Sequence, residues 1–343
     1  MLIKIRKNVS KTEYQSILKY LQDRNINFND ISDDSNIVLI TIGDHIEERI
    51  AGIYSFESVV SITETENPYK IIKKENDEDI VINLPYGNKV SDDGFFVIAG
   101  PCSVESEKSL RFIAEAIKKS GAHAIRGGAY KLRTSPYTFQ GLEEEGLKIL
   151  SKVGKEFELV TVSEITSINQ LPLFLKYVDI IQIGTRNMYN YDLLKALGKV
   201  NKPVLLKRAF TATIEEWLLS AEYIALGGNK NIILCERGIR SFDKETRNVL
   251  DLGAVLRLKE LTYLKVIVDP SHATGRYEMV PKLTLAALSC GADGIMVEVH
   301  ENPALSLSDG AESLRLSKFD SLMTDAKKIA RVLGKKIWKN LGN

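Results

Sequence analysis

From about residue 95 onward the chain repeats one pattern: a short β-branched apolar run, then a longer segment with helical spacing. The runs are "FFVIAG", "HAIRG", "ELVTVSE", "DIIQIG", "PVLLKR", "NIILCERG", "KVIVDPSH" and "GIMVEVH". Their apolar residues are consecutive rather than alternate. That marks strands buried on both faces, as in parallel sheets covered by helices. Intervening segments such as "SEKSLRFIAEAIKKSG" and "IEEWLLSAEYIALGG" end in glycine, as helix C-termini commonly do. Eight such units in roughly 245 residues predict a (β/α)8 TIM barrel. A doubly wound open sheet is the runner-up. No G-x-G-x-x-G follows the first run, however, which weakens any dinucleotide reading.

The first seventy residues have a different rhythm. "LIKIRK" alternates like a strand, and "SKTEYQSILKYLQDRN" starts at Ser10 as an N-cap and repeats apolar Tyr14, Ile17, Leu18 and Leu21 at helical spacing. Two strand-like runs, "INFNDI" and "SNIVLITIG", meet at the turn-forming "SDDSN"; a short helix over 45–54 and a strand in "FESVVSITETE" complete the set. The order β-α-β-β-α-β predicts a small ferredoxin-like domain over 1–70. The polar "NPYKIIKKENDEDI" suits a linker, placed at 71–90, before a barrel over 91–343. The front module carries no catalytic constellation. A docking or oligomerisation unit and a regulatory ligand-binding unit are equally open readings of it.

A net charge of +1 gives no bulk electrostatic case for nucleic acid or an anionic membrane. No apolar run approaches the roughly 18 residues that span a bilayer, and "MLIKIRKNVSKTEY" turns charged too early for a signal peptide. Cys102, Cys235 and Cys290 are an odd, widely spaced set within apolar segments, which points to a reducing, cytoplasmic compartment.

In TIM barrels the chemistry sits at the C-terminal ends of the strands. Read there, the chain presents Cys102, Arg126, Glu164, Arg186, Lys207-Arg208, Glu236-Arg237, His272 and Glu298, with His300 close behind. Lys131, Arg133, Thr134 and Ser135 follow in the loop after the second strand, and Asp309 in "LSLSDGAE" after the eighth. Taken singly, a cysteine after a strand is most simply a buried small hydrophobe, and a histidine in a turn a hydrogen-bonded loop residue. Gathered on one rim, Cys102, His272, Glu298 and Asp309 form a mixed S/N/O/O set that suits a divalent transition ion. The cations Arg126, Lys131, Arg133, Arg186, Lys207 and Arg237 follow apolar strands, where burial makes each require an anion. Arginine forks fit phosphate and carboxylate, Gly127-Gly128 lets backbone approach, and Thr134 and Ser135 offer hydroxyls. The set predicts a highly anionic small-molecule site, for two anionic substrates or one carrying several anionic groups, at least one of them a phosphate ester.

The blocks "GPCSVES", "RGGAYKLRTSPYTFQG", "IQIGTRNMYN", "VLLKRAF", "ILCERGIRSF", "VDPSHATG" and "MVEVH" closely resemble the 3-deoxy-D-arabino-heptulosonate 7-phosphate synthase family. The front module is similar to the ferredoxin-like regulatory extension of its type I beta branch. The resemblance implies a transferase at the first step of the shikimate pathway. It implies metal-dependent condensation of phosphoenolpyruvate with erythrose 4-phosphate and release of phosphate. On this sequence it implies a metal (Mn2+, Fe2+, Co2+, Zn2+ or Cd2+ class) on Cys102, His272, Glu298 and Asp309. Phosphoenolpyruvate falls to Arg126, Lys131, Lys207, Arg186 and Arg237, and the aldose phosphate to Arg133 and Thr134. Lys131 is the expected proton donor, and Glu164 a residue that orients water. A tyrosine or phenylalanine effector on the front module and a homotetramer are further expectations from the family.

Three alternatives compete. A 3-deoxy-D-manno-octulosonate 8-phosphate synthase would use arabinose 5-phosphate, but its loop typically reads Lys-Ala-Asn-Arg-Ser, against Lys131-Leu132-Arg133-Thr134-Ser135 here. A Schiff-base aldolase would use Lys207. A metal-dependent sensor of phosphorylated metabolites would bind without releasing phosphate.

Overall fold

The computed structural model describes residues 1–32, 37–43, 46–63, 68–76, 79–133 and 135–337. The chain divides into two compact units, Met1–Ile71 and Ile72–Asn343. The first contains β1 (Leu2–Ile5), α1 (Lys11–Asp23), β2 (Asn27–Asp30), β3 (Ile37–Ile42), α2 (Ile46–Ile50) with a following 3-10 turn, and β4 (Val59–Thr63). Its antiparallel sheet runs β2-β3-β1-β4, the split βαβ order expected from the sequence. Ser10 caps α1 by accepting the Glu13 N–H at 3.1 Å. Ile17 and Leu21 then turn into one apolar core with Ile3, Ile5, Leu39 and Ile53. Residues 33–36 of the expected turn, 45 of the expected helix and 64–66 of the expected last strand lie outside the described residues.

The second unit opens with a hairpin of β5 (Ile82–Asn83) and β6 (Lys89–Val90). Eight parallel strands follow, β7 (Phe96–Gly100), β8 (Ala124–Arg126), β9 (Val160–Ile165), β10 (Ile180–Ile183), β11 (Val204–Lys207), β12 (Ile232–Glu236), β13 (Lys265–Val268) and β14 (Gly294–His300). Each pairs with the next, and β14 returns to β7 in the register Gly294↔Phe96 to Glu298↔Gly100. That pairing closes the barrel and rules out the open sheet. The helices are α3 (Glu107–Ser120), α4 (Glu143–Glu156), α5 (Leu171–Tyr177), α6 (Tyr191–Gly198), α7 (Ile214–Leu226), α8 (Leu252–Leu261), the short α9 (Pro270–Thr274), α10 (Val280–Ser289) and α11 (Leu316–Val332), the last entered through β15 (Leu314–Arg315). No described helix is long and apolar enough to cross a membrane.

The strands are mainly apolar because both faces are covered: all four residues of β10 are buried. The barrel interior is packed by Ile98, Val160, Val162, Ile180, Leu205, Ile233, Ile267 and Met296. Ile82 and Val90 join that core from the hairpin, which falls in the stretch whose polarity reads as a linker. At the start of β13, buried Lys265 lies 2.5 Å from Asp79 Oδ1 and 3.0 Å from Asp92 Oδ1. Lys259 bridges Asp92 and the buried Asp293, at 2.5 and 2.9 Å. This ionic cluster lies at the end of β13 away from His272, leaving the C-terminal rim for chemistry.

Candidate active site

β13 ends because Asp269 turns its carboxylate back to accept the His272 N–H at 3.0 Å, and Pro270 occupies the first position of α9. His272 therefore sits one turn beyond the strand, facing the barrel mouth. Its Nδ1 is 2.7 Å from Asp269 Oδ2, which also meets Lys207 Nζ at 2.5 Å. Burial opposes ionisation of Asp269, but His272 and Lys207 outweigh it and hold the carboxyl well below the usual range. Burial in turn pushes the His272 pKa down against the pull of Asp269, favouring the neutral imidazole that a metal requires.

Three further donors converge on His272. Glu298, near the end of β14, places Oε1 3.2 Å from His272 Nε2 and 2.5 Å from Arg126 Nη1. Its Oε2 is buried with no hydrogen-bond partner among the described residues. Cys102, just past β7, has Sγ 2.9 Å from Asp309 Oδ2 and 2.9 Å from Lys131 Nζ. Burial, reinforced by the Glu298 charge, pushes its thiol up to about 12. Asp309 reaches the cluster from a left-handed backbone, φ 52° and ψ 37°. One donor atom from each of Cys102, His272, Glu298 and Asp309 lies within 4.8 Å of all the others. One soft sulfur, one imidazole and two carboxylates fit a divalent transition ion, and the orphaned Glu298 Oε2 is an acceptor such an ion would satisfy.

Beside this quartet opens a cavity of about 940 Å3, counting its mouth. Arg126, Lys131, Arg133, Arg186, Lys207, Arg237 and Arg247 line it, against two carboxylates, Glu164 and Asp309, so its field favours anions. Arg237 is buried, its guanidinium 4.8 Å from the Phe210 ring centre, and it has no carboxylate partner among the described residues. Burial lowers its pKa accordingly. Arg186 and Arg240 approach the same ring, at 5.9 and 4.9 Å. Glu164 Oε2 accepts from Gln182 Nε2 at 2.9 Å. A Cβ on Gly184, just past β10, would lie 2.0 Å from Glu164 Oε1, so any larger residue there would displace the Glu164 carboxylate.

All six cations expected on the rim therefore line one cavity, and all four expected metal ligands meet beside it. Other expected residues stand elsewhere. Glu236 is buried outside the cavity lining, its carboxylate 2.9 Å from Arg208 Nη1 and accepting the Gly238 N–H at 2.6 Å. Ser135 is also outside the lining and accepts the Tyr137 N–H at 3.3 Å. Thr134 lies outside the described residues. His300 turns away, with Nε2 3.5 Å from Glu105 Oε2. The sequence reading missed Arg247 and Glu312, which pair at 2.8 Å with Glu312 Oε1 3.8 Å from His272 Nε2. Burial, then the Glu298 charge, raises Glu312 to about 8. Arg247 stands in an irregular loop and Glu312 in a three-residue 3-10 turn, where no periodicity marks them. Asp269, which caps the turn holding His272, was not singled out either, although it stands in the "DPSH" that ends the strand.

Residues 73–333 match the model of the DAHP synthetase I family. The chain is 43% identical over 342 residues to the phospho-2-dehydro-3-deoxyheptonate aldolase of Thermotoga maritima, covering 98% of this chain and 100% of that protein. A crystal structure of that enzyme type from T. maritima superposes with a TM-score of 0.78 at 42% identity, covering 98% of both chains. The 2-dehydro-3-deoxyphosphooctonate aldolase of Trichlorobacter lovleyi is 33% identical over 245 residues, covering 66% of this chain and 89% of that protein. The long match runs through the front unit as well as the barrel, whereas the octonate-type match covers two-thirds of the chain. The chain belongs to the DAHP synthetase I family.

Proposed function

We propose that this chain is an enzyme that condenses phosphoenolpyruvate with D-erythrose 4-phosphate to 3-deoxy-D-arabino-heptulosonate 7-phosphate and inorganic phosphate. This is the first step of the shikimate route to aromatic amino acids. The observation that carries the reading is the shared rim: a four-donor cluster directly beside a cavity with seven cations and two carboxylates. A metal-dependent sensor could use the same rim, and it is separated by binding phosphoenolpyruvate without releasing phosphate. A Schiff-base aldolase would need Lys207 free, whereas its Nζ is engaged 2.5 Å from Asp269 in a buried pair.

A divalent ion held by Cys102, His272, Glu298 and Asp309 would supply Lewis acidity toward the aldehyde of the aldose. Arg186 and Arg237 hold the phosphate of phosphoenolpyruvate, and Arg126 and Lys207 fix the rest of that anion in the cavity wall. Arg133, with Thr134, takes the aldose phosphate. Placing two mutually repelling anions in contact is the largest task, and the cation ring performs it. C3 of phosphoenolpyruvate attacks the aldehyde carbon, and Lys131 Nζ delivers a proton to the aldehyde oxygen. Glu164 orients a water that adds at C2 and gives up its proton. The resulting hemiketal phosphate then loses inorganic phosphate by C–O cleavage.

The front unit is proposed as the seat of feedback inhibition by tyrosine or phenylalanine, the enzyme as a cytoplasmic homotetramer, and the ion as one of the Mn2+ to Cd2+ class. The aldose separates the two branches of the superfamily. Phosphate release from phosphoenolpyruvate is expected with erythrose 4-phosphate and not with arabinose 5-phosphate. Preference for arabinose 5-phosphate would move the chain to the octulosonate branch.

A further inference from the structure

Ser308 is buried at 4% exposure between the two halves of the site. Its Oγ accepts from Arg133 Nη2 and lies 3.0 Å from Cys102 Sγ and 3.3 Å from Asp309 Oδ2. A guanidinium only donates, and a hydroxyl has one proton. With Arg133 occupying an Oγ lone pair, that proton is left for the sulfur or the carboxylate, and the sulfur is the nearer. The backbone beside Ser308 is fixed from outside, because Glu105 Oε1 accepts the Leu307 N–H at 2.8 Å. The hydroxyl is therefore pinned on both sides and aimed at Cys102.

We propose that Ser308 is a positioning residue: its hydroxyl orients and electronically tunes Cys102 as a sulfur ligand, and it ties that ligand to Arg133 of the aldose-phosphate subsite. The inference rests on the metal reading of the quartet. A hydrogen bond donated to the sulfur draws charge from it and fixes how its lone pairs face the other three donors. Without it the sulfur is a more easily oxidised donor, so its charge-transfer transition to a bound ion falls in energy. A serine that merely filled space would leave that transition where it is.

The test uses the full-length chain, stripped of metal by chelation and titrated with Co2+ while the near-ultraviolet sulfur-to-cobalt absorption is followed. Ser308→Ala is expected to move the band to longer wavelength and weaken Co2+ binding by about 10- to 100-fold, as loss of such supporting contacts typically does. Ser308→Thr, which keeps the hydroxyl, should restore both. If Ser308→Ala lacks the native circular dichroism, Ser308→Gly replaces it with the same expected shift. An unchanged band and affinity on removing the hydroxyl, or a Thr variant displaced as far as Ala, overturns the role of Ser308 alone. A wild-type protein with no such band at saturating Co2+ overturns the metal reading and Ser308 with it.

Discussion

Asp309 adopts a left-handed backbone that costs most non-glycine residues of order 1 kcal/mol and that Asp and Asn tolerate best. The conformation brings Oδ2 to 2.9 Å from Cys102 Sγ. Asp309→Asn keeps the backbone preference and removes the charge. Its stability should change by less than about 1 kcal/mol, while divalent-ion affinity, measured by calorimetric titration, falls at least tenfold or so. A variant that binds normally would remove Asp309 from the ligand set. Cys102→Ser should lose affinity by about 100-fold or more, since a hydroxyl is a far poorer ligand than a thiolate. Cys102, His272 and Glu298 were legible because each lies within, or a few residues past, the C-terminal end of a mainly apolar strand. Arg247 was not: it sits in the long loop between β12 and α8, and its role depends on Glu312, 65 positions away.

At the scale of elements, the barrel strands were legible because burial on both faces forces continuous hydrophobicity. The hairpin of β5 and β6 was not. Two-residue strands carry no period, and its polar neighbours outweigh Ile82 and Val90. Nor could the sequence tell that Glu236 turns away from the cavity, since that depends on Arg208 at the end of the adjacent strand. Gly184 links element to function. Gly184→Ala would push Glu164 aside, lowering kcat/KM by up to about 100-fold. In a Glu164→Gln background the same substitution should cost little more, because both act on one group; an additive loss would place the role of Gly184 elsewhere. The ionic cluster at the start of β13 predicts a pH effect. Burial opposes ionisation of Asp92, but Lys259 and Lys265 outweigh it and bring the carboxyl to about 2 from 3.8. A depressed carboxyl pKa adds stability above about pH 4 that is lost as pH falls toward 2. Melting curves of Asp92→Asn should therefore be destabilised at neutral pH and flatter between pH 4 and 2 than those of the wild type.

For the whole molecule, the division at Ile71/Ile72 separates a unit with its own core from a barrel that carries every residue assigned to catalysis. Removing residues 1–71 should leave condensation intact and abolish inhibition by tyrosine or phenylalanine. Inhibition that survives the deletion would put the effector on the barrel. The central claim is that the quartet of Cys102, His272, Glu298 and Asp309 holds an ion without which the cation-lined cavity does not turn over. It is tested most directly by following phosphate release from phosphoenolpyruvate and erythrose 4-phosphate before chelation, after it, and on adding back Mn2+. The account predicts activity that disappears on chelation, returns with Mn2+ in the wild type, and does not return in Cys102→Ser. Undiminished release from the stripped wild-type enzyme would contradict it.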